Sequence, residues 1–434
     1  MNGRHIRDII QDQAVEKQKI SGNRKLIERE NLAHWKRFID SEPVKVTTGV
    51  RRSGKSTFTH LLLSDRDYAY VNFDDERLST IGRMGLNDVL EALYGQYGDF
   101  KYLLMDEVQN VEGWELFVNR LQRSGIRTCV TGSNANLLGR ELATHLTGRA
   151  LPIEMLPFSF TEFLLWNGID TRDTTTRGKA VLKKALEDYM KIGGFPEVVK
   201  EPDMARDYLN ALYSSIITKD ILARREIKYV RTFKEIASTL LSSFSNLMTY
   251  NKLKNTHGLK SVHTAKNYVD FLAEAYLVQI LDKFSPKPKE IANSPKKVYV
   301  IDTGLIGVMS RSVSENLGGL MENLVFLQLL RKKSLESDLE LFFWNDYQDH
   351  EIDFVLRKGK RIEELIQVTY ASEPADIMSR ETGALVKGAG LLGCKKLTII
   401  TWDHEGRLRK NGTAINCIPL WKWLLGFPAL KIRD

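Results

Sequence analysis

The chain has 434 residues, 43% of them hydrophobic and 27% charged, a composition that excludes a disordered or fibrous protein and suggests two to three folded domains. Its net charge of +8 fits a polyanionic partner and equally a solvated Lys/Arg surface. No apolar run approaches membrane-spanning length, the first eight residues have no apolar core for a signal peptide, and Cys129, Cys394 and Cys417 are too scattered for a zinc site or a disulfide framework, so a cytoplasmic protein without a membrane partner is expected.

Residues 5–40 read as helical, with Ile6, Ile9 and Ile10 near one end and Leu32, Trp35, Phe38 and Ile39 near the other. The charged stretch between them is expected to be exposed. Pro43 breaks the pattern before a β-branched run, Val44-Lys45-Val46-Thr47-Thr48, that reads as a strand. Gly49-Val50-Arg51-Arg52-Ser53-Gly54-Lys55-Ser56-Thr57 follows and fits the phosphate-binding pattern G-x-x-x-x-G-K-[ST], with a helix beginning at its end. The chemistry accounts for these residue types. Glycines let the backbone bend tightly, so that successive N–H groups and the helix N-terminus face the phosphates of ATP. Lys55 supplies a positive charge, and Ser56 offers a hydroxyl to Mg2+. Gly49, Arg52, Ser53, Gly54, Lys55, Ser56 and Thr57 are therefore the expected nucleotide-binding residues.

Two further strands, Tyr68–Phe73 and Tyr102–Met105, each end in acids. At the second, Asp106 is the expected second Mg2+ ligand and Glu107 the group that polarises the attacking water. A fourth strand, Arg127–Thr131, runs into Gly132-Ser133-Asn134. In the additional-strand class of phosphate-loop ATPases such a tip lies between the loop strand and the acidic strand, and Asn134 or Ser133 would touch the γ-phosphate or its water. Arg149, just before a fifth strand at Ala150–Glu154, is the candidate for a finger reaching a neighbouring subunit's γ-phosphate, with Arg140 competing for that role.

The sequence resembles a prokaryotic AAA-type ATPase family that carries an uncharacterised, restriction-nuclease-like C-terminal domain. The resemblance rests on the loop, on Leu104-Met105-Asp106-Glu107-Val108-Gln109, on Thr131–Asn134 and on Leu146-Thr147-Gly148-Arg149. The more specific runs are Pro157-Phe158-Ser159-Phe160-Thr161-Glu162-Phe163 and Gly193-Gly194-Phe195-Pro196-Glu197, and Val298-Tyr299-Val300-Ile301-Asp302-Thr303-Gly304-Leu305 matches too. It implies an ATPase that forms a ring, with a hexamer favoured.

Beyond the core, Ala180–Ile227 reads as a helical lid interrupted at Gly193–Pro196, with Arg224 and Arg225 as candidate nucleotide sensors or surface ion-pair partners. Helical segments at Phe233–Phe244, Tyr250–Thr256 and Val262–Leu277, followed by strands at Gln279–Phe284 and Lys297–Ile301, resemble a winged helix. Its recognition helix would present Ser261, His263, Thr264, Lys266 and Asn267, ringed by lysines that include Lys252, Lys260, Lys296 and Lys297. DNA is the expected partner, and a protein partner is the alternative.

From Leu317 the order helix, three strands, helix, strand matches the restriction-nuclease-like core, in which two acids and a D/E-x-K triplet share metal. Glu322, Glu351 and Asp353 occupy the acidic positions, but Gln367-Val368-Thr369 stands where the triplet belongs. Gln brings no charge to a metal and Thr cannot replace a lysine, so binding without cutting is expected.

The expected fold is thus an α/β chain: an N-terminal helical segment (1–43), an AAA-type phosphate-loop ATPase core (44–167), a helical lid (168–230), a winged-helix-like domain (231–313) and a restriction-nuclease-like α/β domain (314–434). The expected function is ATP hydrolysis driving subunit motion on branched or broken DNA. The alternatives are a nucleotide-dependent signalling switch that holds proteins and an active metal-dependent nuclease.

Overall fold

The computed structural model describes residues 3–22, 26–133, 146, 148–173, 175–309, 316–348 and 350–426. The chain divides into two compact units. The first is Met1–Pro157 with Glu274–Tyr276, and the second is Phe158–Ala273 with Leu277–Asp434.

The first unit is built on a five-stranded parallel sheet. Its strands are β1 (Val44–Gly49), β2 (Tyr68–Asn72), β3 (Tyr102–Asp106), β4 (Arg127–Gly132) and β5 (Ala150–Met155), in the order β2-β3-β4-β1-β5. The strand after Asp106 therefore lies between the loop strand and the acidic strand, as expected. Both faces of the sheet are covered, and alternate residues feed two cores. Val44, Val46, Ala69, Val71, Leu103, Met105 and Val130 meet α1 (Gly3–Ser21), α4 (Gly82–Tyr97) and α5 (Trp114–Arg123). Tyr68, Tyr70, Tyr102, Leu104 and Cys129 meet α2 (Leu32–Lys36) and α3 (Lys55–Leu62).

The N-terminal segment departs from expectation. It is not helical throughout 5–40: α1 stops at Ser21 and α2 spans only Leu32–Lys36. Nor is the charged stretch between them uniformly exposed. Arg29 is 6% exposed, and it donates from Nη1 to the Ser53 carbonyl (2.9 Å) and from Nη2 to the Leu156 carbonyl (2.6 Å). Helical periodicity registers apolar spacing and misses an arginine recruited to satisfy backbone carbonyls.

In the second unit, three of the runs that carry the resemblance meet. Ser159 and Glu162 form a reciprocal cap on the helix Phe160–Trp166, with Ser159 Oγ accepting from the Glu162 N–H and Glu162 Oε2 accepting from the Ser159 N–H. The Phe158 N–H donates to the Gly194 carbonyl at 2.6 Å. Asp302, 3% exposed, accepts from the N–H groups of Gly194 (2.7 Å), Gly304 (2.9 Å) and Leu305 (3.3 Å). Gly193 has φ +79°, and a Cβ there would lie 2.0 Å from Asp302 Oδ1, so only glycine fits. Three runs widely separated in sequence are thus one structural knot.

The middle of the chain has helices Val230–Ser242, Tyr250–Thr256 and Val262–Glu274 and a small antiparallel sheet of β6 (Asn246–Met248), β7 (Val278–Leu281) and β8 (Lys296–Val300), with β8 central. The last sheet runs β13-β14-β12-β11-β10-β9: β9 (Leu339–Asn345), β10 (Glu351–Lys358), β11 (Arg361–Val368), β12 (Leu397–Thr401), β13 (Gly406–Lys410) and β14 (Thr413–Pro419). The helix Ser379–Leu392 packs Ala384, Leu385 and Ala389 onto one face of it. The β13–β14 hairpin turns at Asn411-Gly412, with φ values of +52° and +77°. Asn-Gly is a strong hairpin signal, and it accounts for this turn.

Candidate functional site

The phosphate loop leaves β1 at its C-terminal end. Gly49 pairs with Met155 there, and a Cβ on Gly49 would meet the Met155 carbonyl oxygen at 2.0 Å. Close packing against β5 therefore demands this glycine. Arg52 and Gly54 take positive φ (67° and 89°), which points consecutive N–H groups into one concavity ahead of α3. Lys55, 4% exposed, donates to the Val50 carbonyl at 3.1 Å, and Ser53 Oγ is buried without a hydrogen-bond partner among the described residues. Thr57 is half-buried on the first turn of α3. An inward hydroxyl without a partner and a lysine folded over the loop suit a site that receives a polyanion.

Ser56 Oγ donates to Asp106 Oδ1 at 3.0 Å, so the two expected Mg2+ ligands adjoin across the tips of β1 and β3. A hydroxyl and a carboxylate are hard oxygen donors, the kind Mg2+ takes beside phosphate, and the residues fit the ion. Asp106 is 4% exposed, and burial, partly offset by the Thr131 hydrogen bond, raises its pKa to about 6.

Glu107 follows in a left-handed conformation (φ 51°, ψ 47°), uncommon for a side chain of this kind. Its carboxylate accepts from Gln109 Nε2. Thr131, fully buried on β4, connects the two acids: its Oγ1 donates to Asp106 Oδ1 and accepts from the Glu107 N–H at 3.1 Å. The sequence points to Ser133 or Asn134 for the β4 contribution and gives no role to Thr131 or Gln109, although both stand in the runs that carry the resemblance. The signal available was adjacency: Thr131 precedes the Gly-Ser-Asn tip, and Gln109 follows the Asp-Glu pair. Ser133 Oγ is buried without a hydrogen-bond partner among the described residues. Asn134 and Arg140 lie outside the described residues. Arg149 sits at the start of β5, the end of the sheet opposite the loop, and its Nη1 donates to Asn119 Oδ1 at 3.3 Å. It is not brought to its own chain's phosphate loop.

In the second unit, the Arg224 guanidinium is 3.9 Å from Asp220, and Arg225 lies over the Phe271 ring. Two lysines expected on a DNA-facing surface are turned inward. Lys296 is 7% exposed and pairs with Asp282 at 2.6 Å. Lys297 is 1% exposed, and its Nζ lies 2.9 Å from Glu322, 2.6 Å from Glu351 and 2.8 Å from Asp353. The inward turn of both lysines has a simple cause. Central position in the small sheet buries β8 on both faces, and a buried ammonium persists only with carboxylate partners. Among the described residues, no group of three or more His, Cys, Asp or Glu forms a ready metal site, and no helix is long and apolar enough to cross a membrane.

Comparison with known proteins agrees with the first unit's geometry. An AAA domain matches residues 41–164, and two domains of unknown function, DUF8612 and DUF4143, match residues 183–316 and 317–422. The uncharacterized protein MJ1544 of Methanocaldococcus jannaschii is 35% identical over 402 residues, covering 88% of each chain. An uncharacterized protein of Haemophilus influenzae is 32% identical over 356 residues, covering 78% of this chain and 85% of its own. Among solved structures, the Walker-type ATPase PABY2304 of Pyrococcus abyssi is similar at 15% identity and TM-score 0.45, covering 65% of this chain and 96% of its own. With a phosphate loop, a serine–aspartate pair and an adjoining glutamate inside the matched AAA domain, and with that extent of identity to MJ1544, the chain belongs to the same family as MJ1544 and joins an AAA-type phosphate-loop ATPase domain to DUF8612 and DUF4143.

Proposed function

We propose that this protein binds and hydrolyses ATP in the first unit and uses the cycle to act on DNA as a homo-oligomeric, hexameric ring. The observation that carries the ATPase reading is the Ser56–Asp106 contact at 3.0 Å beside Glu107, at the mouth of the loop that holds Lys55. The loop amides, Lys55 and Ser53 bind the β- and γ-phosphates. Ser56 and Asp106 would hold Mg2+, which when bound neutralises charge on the phosphate oxygens. Glu107 accepts a proton from the attacking water, and Gln109 and Thr131 hold its carboxylate and backbone in position. Arg149, remote from its own loop, is proposed to serve a neighbouring subunit's site, with Arg140 and Asn134 still candidates for a trans contact and a γ-phosphate contact.

DNA is favoured as partner by exposed Ser261, His263, Lys266, Lys252 and Lys260 on and beside the helix Val262–Glu274, in the segment read as winged-helix-like, and the net charge of +8 is compatible with it. The inward turn of Lys296 and Lys297 shrinks that basic surface without removing it. The C-terminal domain, read as restriction-nuclease-like, lacks a charged third position at Gln367-Val368-Thr369 and is proposed to bind without cutting.

The test is the ATPase rate with and without single-stranded, duplex and four-way DNA, with Lys55→Ala as the nucleotide-binding control. The expected result is stimulation by DNA and a log-linear loss of DNA binding with salt. Turnover that ignores DNA would replace this reading with the signalling switch. Nucleotide affinity unchanged in Lys55→Ala would refute the site itself.

A further inference from the structure

The carboxylates of Glu322, Glu351 and Asp353 come from two elements, the helix Leu317–Leu335 and β10, and converge on one point. That point is held by an atom of a third element, Lys297 Nζ of β8, at 2.6–2.9 Å from all three. Several contacts fix the lysine there. Tyr299, two residues along β8, stacks on Phe326 at 4.1 Å, lies 5.8 Å from the Phe354 ring, and donates its hydroxyl to Glu322 at 2.7 Å. Asp353 Oδ2 accepts from the Val368 N–H at 2.9 Å, which sets that carboxylate's direction. Gln367 lies next to Ile366, the residue paired with Phe354, and so across the ladder from Asp353. It is 8% exposed, and its Oε1 has no hydrogen-bond partner among the described residues. Three converging carboxyl groups make a set of hard oxygen donors of the kind Mg2+, Mn2+ or Ca2+ takes, at metal–oxygen distances of about 2.0–2.6 Å.

We infer that Lys297 is the resident cation of this cluster: its ammonium stands where a divalent metal would, and the cluster takes a metal only when that ammonium is removed. Two cations cannot share a point that one of them already fills. A lysine with 1% exposure also keeps its charge out of water and so depends on carboxyl partners. This cluster is therefore metal-free by construction. The same contacts tie β8 to the helix Leu317–Leu335 and to β10. The inference does not depend on the ATPase reading, because none of these residues lies in the first unit.

The experiment measures Mn2+ bound to the full-length, nucleotide-free protein by equilibrium dialysis, for the parent, Asp353→Asn, Lys297→Met and the double variant. Parent and Asp353→Asn are expected to bind the same amount. Lys297→Met is expected to gain about one Mn2+ per chain, and the double variant to lose that gain. A parent that binds a Mn2+ removed by Asp353→Asn overturns the inference, as does a folded Lys297→Met that gains none. Should Lys297→Met fail to fold in metal-free buffer, its refolding yield with Mn2+ decides. Recovery that the added Asp353→Asn change abolishes supports the inference, and no recovery overturns it.

Discussion

Replacing Thr131 by valine removes one hydroxyl and keeps the shape of the side chain. The hydroxyl does two things: it donates to the Asp106 carboxylate and accepts the Glu107 N–H. Thr131 is fully buried and Asp106 is 4% exposed, so water cannot readily take over either bond. A hydrogen bond to a charged group contributes about 1.5–3 kcal/mol. Carried into the transition state, its loss lowers kcat by roughly 10- to 150-fold. Binding of ATP, which rests on the loop amides and Lys55, should stay within about threefold.

The pH profile supplies a second readout. Burial raises the Asp106 pKa to about 6, and the Thr131 hydrogen bond opposes that rise. A metal-holding aspartate must be ionised, so activity falls as pH drops through its pKa. Removing the opposing bond moves that acid limb to higher pH. The assay is phosphate release between about pH 5.5 and pH 9, paired with calorimetry of nucleotide binding. A Thr131→Val protein with kcat within twofold of the parent and an unmoved acid limb would refute the role given to Thr131.

Two other substitutions test separate parts of the account. Glu107→Gln should bind ATP and lose about 10²–10⁴ in single-turnover hydrolysis, and a rate within twofold of the parent would remove Glu107 as the base. Asp302→Asn tests the knot in the second unit. Burial raises the Asp302 pKa to about 6 despite three N–H donors, whereas an unfolded aspartate titrates near 3.9. The folded state therefore holds the proton more tightly, and this contribution to stability is complete below about pH 4 and lost as pH rises through about 6. The shift corresponds to about 3 kcal/mol. The urea-unfolding gap between parent and Asp302→Asn should narrow by about that amount between pH 4 and pH 8. A constant gap would mean the three N–H groups fully offset burial.

The sequence by itself determined the parallel strands of the first unit and brought out the loop, Ser56, Asp106 and Glu107 as its candidate site. Local chemistry is enough there: β-branched runs make strands, a glycine-bounded loop before a helix makes an anion cradle, and an apolar strand ending in Asp106-Glu107 delivers acids to the same edge. Alternating strands and helices implied parallel pairing, whereas the position of β4 between β3 and β1 was implied by the resemblance to additional-strand phosphate-loop ATPases and not by local pattern. Tertiary structure decided what depends on which distant groups meet. Thr131 joins Asp106 to Glu107 only because β4 inserts beside β3, and Arg29 turns inward only because carbonyls of Ser53 and Leu156 await it. Gly193, Gly194 and Asp302 read in sequence as unconnected family signatures, and only folding reveals that the carboxylate of one fills the space a side chain on another would need. Lys297 is the sharpest case. A lysine in a basic stretch reads as surface charge, because sequence records the charge of a residue and not its solvent. Burial at the centre of a small sheet forces that ammonium to find anions, and Glu322, Glu351 and Asp353 are the anions within its reach.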